Sequence, residues 1–91
     1  MLSLIIEELI GRGLSASAEH PGYITIDCSG PCRLDCGTVN GTWGCDLVDL
    51  DDQIVESFES QIPGESIDVN RIADFICCTH TSIEEVRNAQ M

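Results

Sequence analysis

The segment CSGPCRLDCGTVNGTWGC, residues 28–45, contains the turn that sets the fold and four of the six cysteines of this 91-residue chain. Within it, Asn40-Gly41 is a two-residue loop typical of a type I′ hairpin, because both residues tolerate positive φ. The register then pairs Val39 with Thr42, Thr38 with Trp43, Cys36 with Cys45, and Leu34 with Leu47. The sequence therefore predicts two antiparallel strands with a common buried face.

A third strand is predicted before this hairpin. The stretch YITIDC, residues 23–28, alternates so that Ile24, Ile26 and Cys28 lie on one side. After a turn at residues 29–31, the apolar sides of all three strands coincide. We expect the opposite side to be solvated or covered by a partner. That side carries Tyr23, Thr25, Asp27, Arg33, Asp35 and Asp46.

Helical patterns flank these strands in the sequence. Apolar residues recur at helical spacing between residues 2 and 10. Asp68 is a typical N-cap for a second helix that runs through Cys77. A capping-box pattern at Ser82 predicts a further short helical turn.

The segment QIVESFES, residues 53–60, is interpreted as a fourth strand, with a short helix as the alternative. The whole chain, residues 1–91, is then expected to be a single small acidic domain of the α+β class. It would consist of an N-terminal amphipathic helix, a three- to four-stranded antiparallel β-meander and a C-terminal helix.

The charge of the chain is strongly unbalanced. Sixteen acidic residues stand against four arginines and no lysine, which gives a formal net charge of −12. Such a field repels nucleic-acid phosphates and anionic membranes, and it attracts basic protein surfaces. Nine of the acids lie between Arg33 and Arg71 without an intervening base. Because this concentration costs stability through self-repulsion, it favours a role in binding over one in solubility alone.

The charge pattern predicts a small non-enzymatic binding protein that docks on a basic surface, such as that of a nucleic-acid-binding protein, and blocks or regulates it. The residues predicted to contact the partner are Asp35, Asp46, Asp49, Asp51, Asp52, Glu56 and Glu59. Trp43 would anchor either the core or the interface. If Asp49 and Asp51 lay in a strand, their carboxylates would form a line of charge that mimics a nucleic-acid backbone.

By analogy of size and charge, and not of motif, phage or mobile-element inhibitors such as anti-CRISPR proteins and nuclease inhibitors fit this description. The N-terminal apolar run is interrupted by Glu7 and Glu8 and lacks a basic start, so it is a poor secretory signal. We therefore expect a cytoplasmic protein, in the host cytoplasm if it is viral. It should be a monomer or a weak homodimer that binds neither membrane nor nucleic acid directly.

Three interpretations of the cysteines remain open. Cys28, Cys32, Cys36 and Cys45 match zinc-ligand spacing only loosely, so a structural zinc site is the least favoured. Cys36 and Cys45 would face each other closely enough for a disulfide. In a reducing cytosol they would instead remain thiols that fill the core. A zinc- or disulfide-stabilised structural module is the alternative function, whereas the favoured interpretation has no cofactor.

No motif in the sequence indicates catalysis. Cys77-Cys78 with His80 could supply a nucleophile and a base, but a predicted position at a helix C-terminus disfavours a thiolate. The acids at 49, 51 and 56 do not form a calcium loop, because the sixth and twelfth positions hold Ile54 and Ser60. We therefore expect no catalytic residues.

Overall fold

The computed structural model describes residues 2–20, 22–28 and 32–89. Within these ranges the elements are α1 (Leu2–Gly11), β1 (Ala16–His20), β2 (Tyr23–Asp27), β3 (Arg33–Val39), β4 (Thr42–Val48), β5 (Ile54–Pro63) and α2 (Val69–Ala89). The strands form an antiparallel sheet in the order β1-β2-β3-β4-β5. The fold is therefore α+β as predicted, although the described sheet has five strands where three or four were expected. The predicted turn at 29–31 lies outside the described residues.

The β3–β4 hairpin has the register that its turn predicts. Asn40 and Gly41 adopt φ values of 54° and 84°. Val39 pairs with Thr42, and the pairing continues without a shift to Arg33 opposite Val48. The Asn-Gly turn thus fixes which side chains of both strands point to the same face.

The core lies between one face of this sheet and the two helices. On the sheet side it contains Ile24, Ile26, Leu34, Cys36, Trp43, Cys45 and Ile62. The helices contribute Ile5 and Leu9 from α1, and Ile72, Ala73, Ile76 and Ile83 from α2. Trp43 is only 3% exposed, so it anchors the core and not the hairpin tip.

β1 was not predicted. The sequence of Ala16–His20 is ASAEH, in which alanine is the only apolar residue type and no residue is β-branched or aromatic in the manner typical of strands. This strand pairs with β2, with Ser17 opposite Thr25, and packs beneath α1. Its structure therefore depends on its neighbours and not on local preference.

β5 confirms the strand interpretation of residues 53–60 and extends it to Pro63. It occupies the edge of the described sheet next to β4, where a pairing irregularity falls between Leu47 and Val48. At the other end of the strand, Ile62 is buried in the core.

The C-terminal helix is longer than predicted. α2 continues without interruption from Val69 to Ala89, so Cys77 does not end it and Ser82 does not begin a new turn. The Ser82 hydroxyl donates a hydrogen bond to the carbonyl of Cys78, four residues earlier, at 3.0 Å. Bonding back in this way is typical of a serine inside a helix and not of an N-cap. Asp68 does cap the helix, since its carboxylate accepts the Arg71 amide at 3.1 Å.

The expectation that the outer side is solvated or covered by a partner is wrong at Thr25, which the protein itself buries. This residue is only 4% exposed, because it lies on a central strand between Ser17 of β1 and Asp35 of β3. The longer sheet therefore shields a position that a three-stranded one would leave open. Among the described residues, neither helix is both long enough and apolar enough to cross a membrane.

Candidate functional site

The candidate site is the open face of the sheet, defined as the side of β2–β5 that points away from α1 and α2. On this face Asp35 of β3 lies directly opposite Asp46 of β4. Two like charges in facing positions are unfavourable unless neighbouring groups compensate them. The hydroxyls of Thr25 and Ser57 provide part of that compensation, donating to Asp35 at 3.2 Å and to Asp46 at 2.8 Å, respectively.

Arg33 provides the remaining compensation at one end of the face. Its guanidinium lies 3.3 Å from the Asp35 carboxylate and 2.8 Å from that of Asp52. The hydrogen bond to Asp52, with the nearby Asp35 charge, raises the pKa of Arg33 above its ordinary value. Arg33 therefore holds two of the predicted contact residues, Asp35 and Asp52, in place.

A groove of about 480 Å³ lies next to these carboxylates. Its floor is formed by Gly37 and Gly44, which face each other across β3 and β4. Tyr23 flanks Gly37 on one side and Glu59 flanks Gly44 on the other, each in a paired position. Tyr23, Gly37, Gly44 and Glu59 thus form a row across four strands. The two central residues have no side chains, so the backbone there is accessible to a partner group.

Close packing of the strands accounts for both glycines. A Cβ atom on Gly44 would lie 2.9 Å from the backbone oxygen of Phe58. A Cβ atom on Gly37 would lie 3.0 Å from the Cβ atom of Tyr23. Neither glycine has a positive φ, so strand spacing and not backbone conformation explains the residue type.

The β4–β5 turn extends the acidic surface beyond the end of the sheet. The Asp49 carboxylate accepts the amides of Asp51 at 2.9 Å and Gln53 at 3.0 Å, which fixes the turn. Asp51 is exposed, and so is Asp52, which adopts a left-handed φ of 60°. From Glu59, opposite Gly44, to Asp49 the acidic surface extends about 17 Å at the usual rise per strand residue.

The structure divides the predicted contact residues into three groups. Asp35, Asp46 and Glu59 lie on the open face, and Asp49, Asp51 and Asp52 lie in the adjoining turn. Glu56 is separate, because it pairs with Leu47 on the side of the sheet that faces the helices. The proposed line of charge from Asp49 to Asp51 within a strand is wrong, since these residues belong to a turn.

The cysteines do not gather into a single ligand set. The Sγ atoms of Cys36 and Cys45 are 2.8 Å apart in the core, and both residues are free thiols. Hydrogen bonding with Cys45, together with burial, raises the pKa of Cys36 well above its ordinary value. Cys28 lies elsewhere, beside His80 and Glu84 of α2. Cys32 lines a separate cleft formed mainly by β4, β5 and α2.

Cys77 and Cys78 lie in the middle of α2 and not at its end, so the predicted unfavourable effect of a helix C-terminus does not apply to them. Cys77 is partly buried against the core, and Cys78 is exposed. His80 lies within reach of Cys28, the cysteine that follows β2. This proximity was not foreseen, because the predicted helix ended at Cys77 and left His80 outside it. Only the continuous α2 places His80 and Glu84 on one helix face.

The alternation of the individual strands did not predict the groove either. The hairpin register indicates the groove, because it places Gly37 opposite Gly44. This chain matches no known protein family, no curated protein and no solved structure. Its function is therefore inferred from the geometry of the site.

Proposed function

We propose that this protein is a non-enzymatic binding protein whose open face docks on a basic protein surface and blocks or regulates it. The observation that supports this proposal best is the groove floored by Gly37 and Gly44 beside the Asp46 and Glu59 carboxylates. A groove with a bare backbone floor and acidic borders is complementary to a long cationic side chain.

Arginine suits this groove better than lysine does. Its planar guanidinium can lie flat on the glycine floor and against the aromatic wall at Tyr23. Its several N–H groups can bond to carboxylates in the forked geometry that lysine lacks. We therefore expect the partner to insert an arginine between Asp46 and Glu59.

The turn at the end of the face adds apolar contact area. Leu50 is 79% exposed within the turn, and Ile54, the first residue of β5 after the turn, is 61% exposed. Exposed apolar residues rimmed by charges are typical of protein-binding surfaces. The combination favours a protein partner over a small cation.

A nucleic-acid-binding protein is the class of partner we propose, because its basic surface has evolved to attract polyanions. The proposal includes a cytoplasmic setting, in which cysteines such as Cys36 and Cys45 remain thiols. The alternative, a cysteine-stabilised structural module, does not conflict with it, since the Cys36–Cys45 pair lies on the helix side of the sheet.

The first test is affinity capture from lysate at low salt, with the captured protein identified after elution at high salt and then purified. Binding is measured for the parent chain and for a variant carrying Asp46→Asn and Glu59→Gln. Asp35 is left intact because Thr25 and Arg33 bind it. The affinity should fall at least about tenfold, because a hydrogen bond to a charged group contributes about 1.5–3 kcal/mol.

The matched control carries Glu7→Gln and Glu85→Gln, two exposed positions on the helices. It has the same net charge as the groove variant, so a loss of binding caused by overall charge would appear in both. The proposal fails if the two variants bind alike, or if the captured protein is not basic. Competition by DNA or RNA for the same partner then tests whether its nucleic-acid site is the surface covered.

A further inference from the structure

The helix side of the molecule contains a second group of chemically active residues. Cys28 follows the last residue of β2, and His80 and Glu84 lie one turn apart on α2. One ligand atom from each of these three residues lies within 4.8 Å of the others. Among the residues that the structure describes, this is the single group of three or more that could hold a metal ion.

The position of His80 and Glu84 on α2 is unusual for polar residues. They continue the row that begins with Ile72 and Ile76, both fully buried, at successive intervals of one helical turn. Their side chains are 18% and 21% exposed. The two side chains therefore lie on the same face of the helix as these core residues.

The distance between the two side chains bears on what they can bind together. The Nε2 atom of His80 is 3.7 Å from Oε1 of Glu84, which is too long for a hydrogen bond. It is close to the separation of two ligands on one ion, since zinc bonds of about 2.0–2.3 Å at tetrahedral angles place ligand atoms roughly 3.4–3.6 Å apart. Small rotations of the three side chains would bring them to that separation.

We propose that Cys28, His80 and Glu84 form a binding site for Zn²⁺ or a similar borderline divalent cation. A thiolate, an imidazole and a carboxylate together favour zinc over calcium or magnesium, which prefer sites made of oxygen alone. Three protein ligands leave a fourth position for water. The ion would tie the end of β2 to the second half of α2. This site differs from the four-cysteine zinc set, whose spacing matches zinc ligands only loosely, and it shares only Cys28 with that set.

The site is tested with chelator-treated protein titrated with Zn²⁺ in excess Mg²⁺, which occupies the exposed carboxylates. We expect one equivalent of Zn²⁺ to bind. Removing a residue that only hydrogen-bonds a metal ligand typically lowers metal affinity by roughly 10–100-fold. Removing one of the ligands themselves should lower the Zn²⁺ affinity by more than that. The variants are Cys28→Ser and Glu84→Gln. Their matched controls are Cys78→Ser and Glu85→Gln, which change exposed residues of α2.

Co²⁺ provides a second readout that does not depend on affinity. Cobalt bound to Cys28 should show a thiolate-to-metal charge-transfer band, which Cys28→Ser abolishes and Cys78→Ser retains. Circular dichroism of each variant establishes that it is folded, and Glu84→Gln is close in volume to the parent. The proposal is overturned if the parent binds no Zn²⁺, if Cys28→Ser binds it as tightly as the parent, or if the charge-transfer band is absent. Partner capture does not enter these measurements, so this proposal and the proposed function can fail separately.

Discussion

Gly37 and Gly44 show how a single residue type shapes the open face. Both sit in ordinary extended backbone, where a glycine usually weakens a strand. Here a side chain at either position would press against the neighbouring strand, so glycine is required for close pairing. The same absence of side chains forms the floor of the groove.

We expect Gly44→Ala to destabilise the fold by about 1–3 kcal/mol, the usual cost of overpacking. The added Cβ would lie 2.9 Å from the Phe58 carbonyl, a backbone atom that cannot rotate away. Urea unfolding followed by Trp43 fluorescence measures the change. Gly11→Ala is the control, since no atom lies within 4 Å of its added Cβ, and it should be neutral or stabilising by about 0.4–1 kcal/mol. Equal stability of the two variants would contradict the packing explanation.

At the scale of an element, α2 has two sequence patterns typical of a helix N-terminus, and the helix begins at only one of them. Asp68 caps the helix through the Arg71 amide, whereas Ser82 lies inside it and bonds back to Cys78. Local sequence alone does not distinguish them. The continuous burial of Ile76 and Ile83 keeps the chain helical past Ser82.

Alanine substitutions at the two positions should therefore differ. Asp68→Ala should cost about 0.5–2 kcal/mol, because it removes an N-cap. Ser82→Ala should be neutral or slightly stabilising, because alanine has the higher helix propensity in a helix interior. Urea unfolding midpoints of both variants provide the comparison. A loss at Ser82 equal to that at Asp68 would indicate that a separate helix begins there.

At the scale of the whole molecule, ion pairs relieve only part of the charge. Arg12 joins α1 to α2 through Asp74 at 2.6 Å and also bonds to Glu8, and these contacts raise its pKa above the ordinary value. Arg33 likewise bonds to two acids. With 16 acids and four arginines in the chain, most carboxylates repel one another.

We therefore expect sodium chloride to stabilise the protein. Raising the concentration from about 0.01 M to 1 M shortens the screening length from about 30 Å to 3 Å, which weakens repulsion in the compact state. The unfolding temperature, followed by Trp43 fluorescence, should rise over this range. Sucrose serves as the control, because it strengthens burial without screening charge. A falling unfolding temperature in salt would mean that the ion pairs of Arg12 and Arg33 outweigh the repulsion.

Local sequence determined the parts of this protein in which neighbouring residues interact. The Asn40-Gly41 turn set the β3–β4 register, and with it the facing pairs Cys36–Cys45 and Asp35–Asp46. The alternation in β2 set the buried face, and the composition set the charge. These features were predictable because turn geometry and a period of two act over a few residues.

Tertiary structure alone decided which distant residues meet. The pairing of β5 with β4 placed Glu59 beside the groove and Glu56 on the helix side, a distinction that composition cannot make. The packing of α2 against the sheet brought His80 to Cys28 across most of the chain. Such contacts depend on how whole elements bury their apolar faces against each other. That free energy is shared by the entire core and is encoded at no single position.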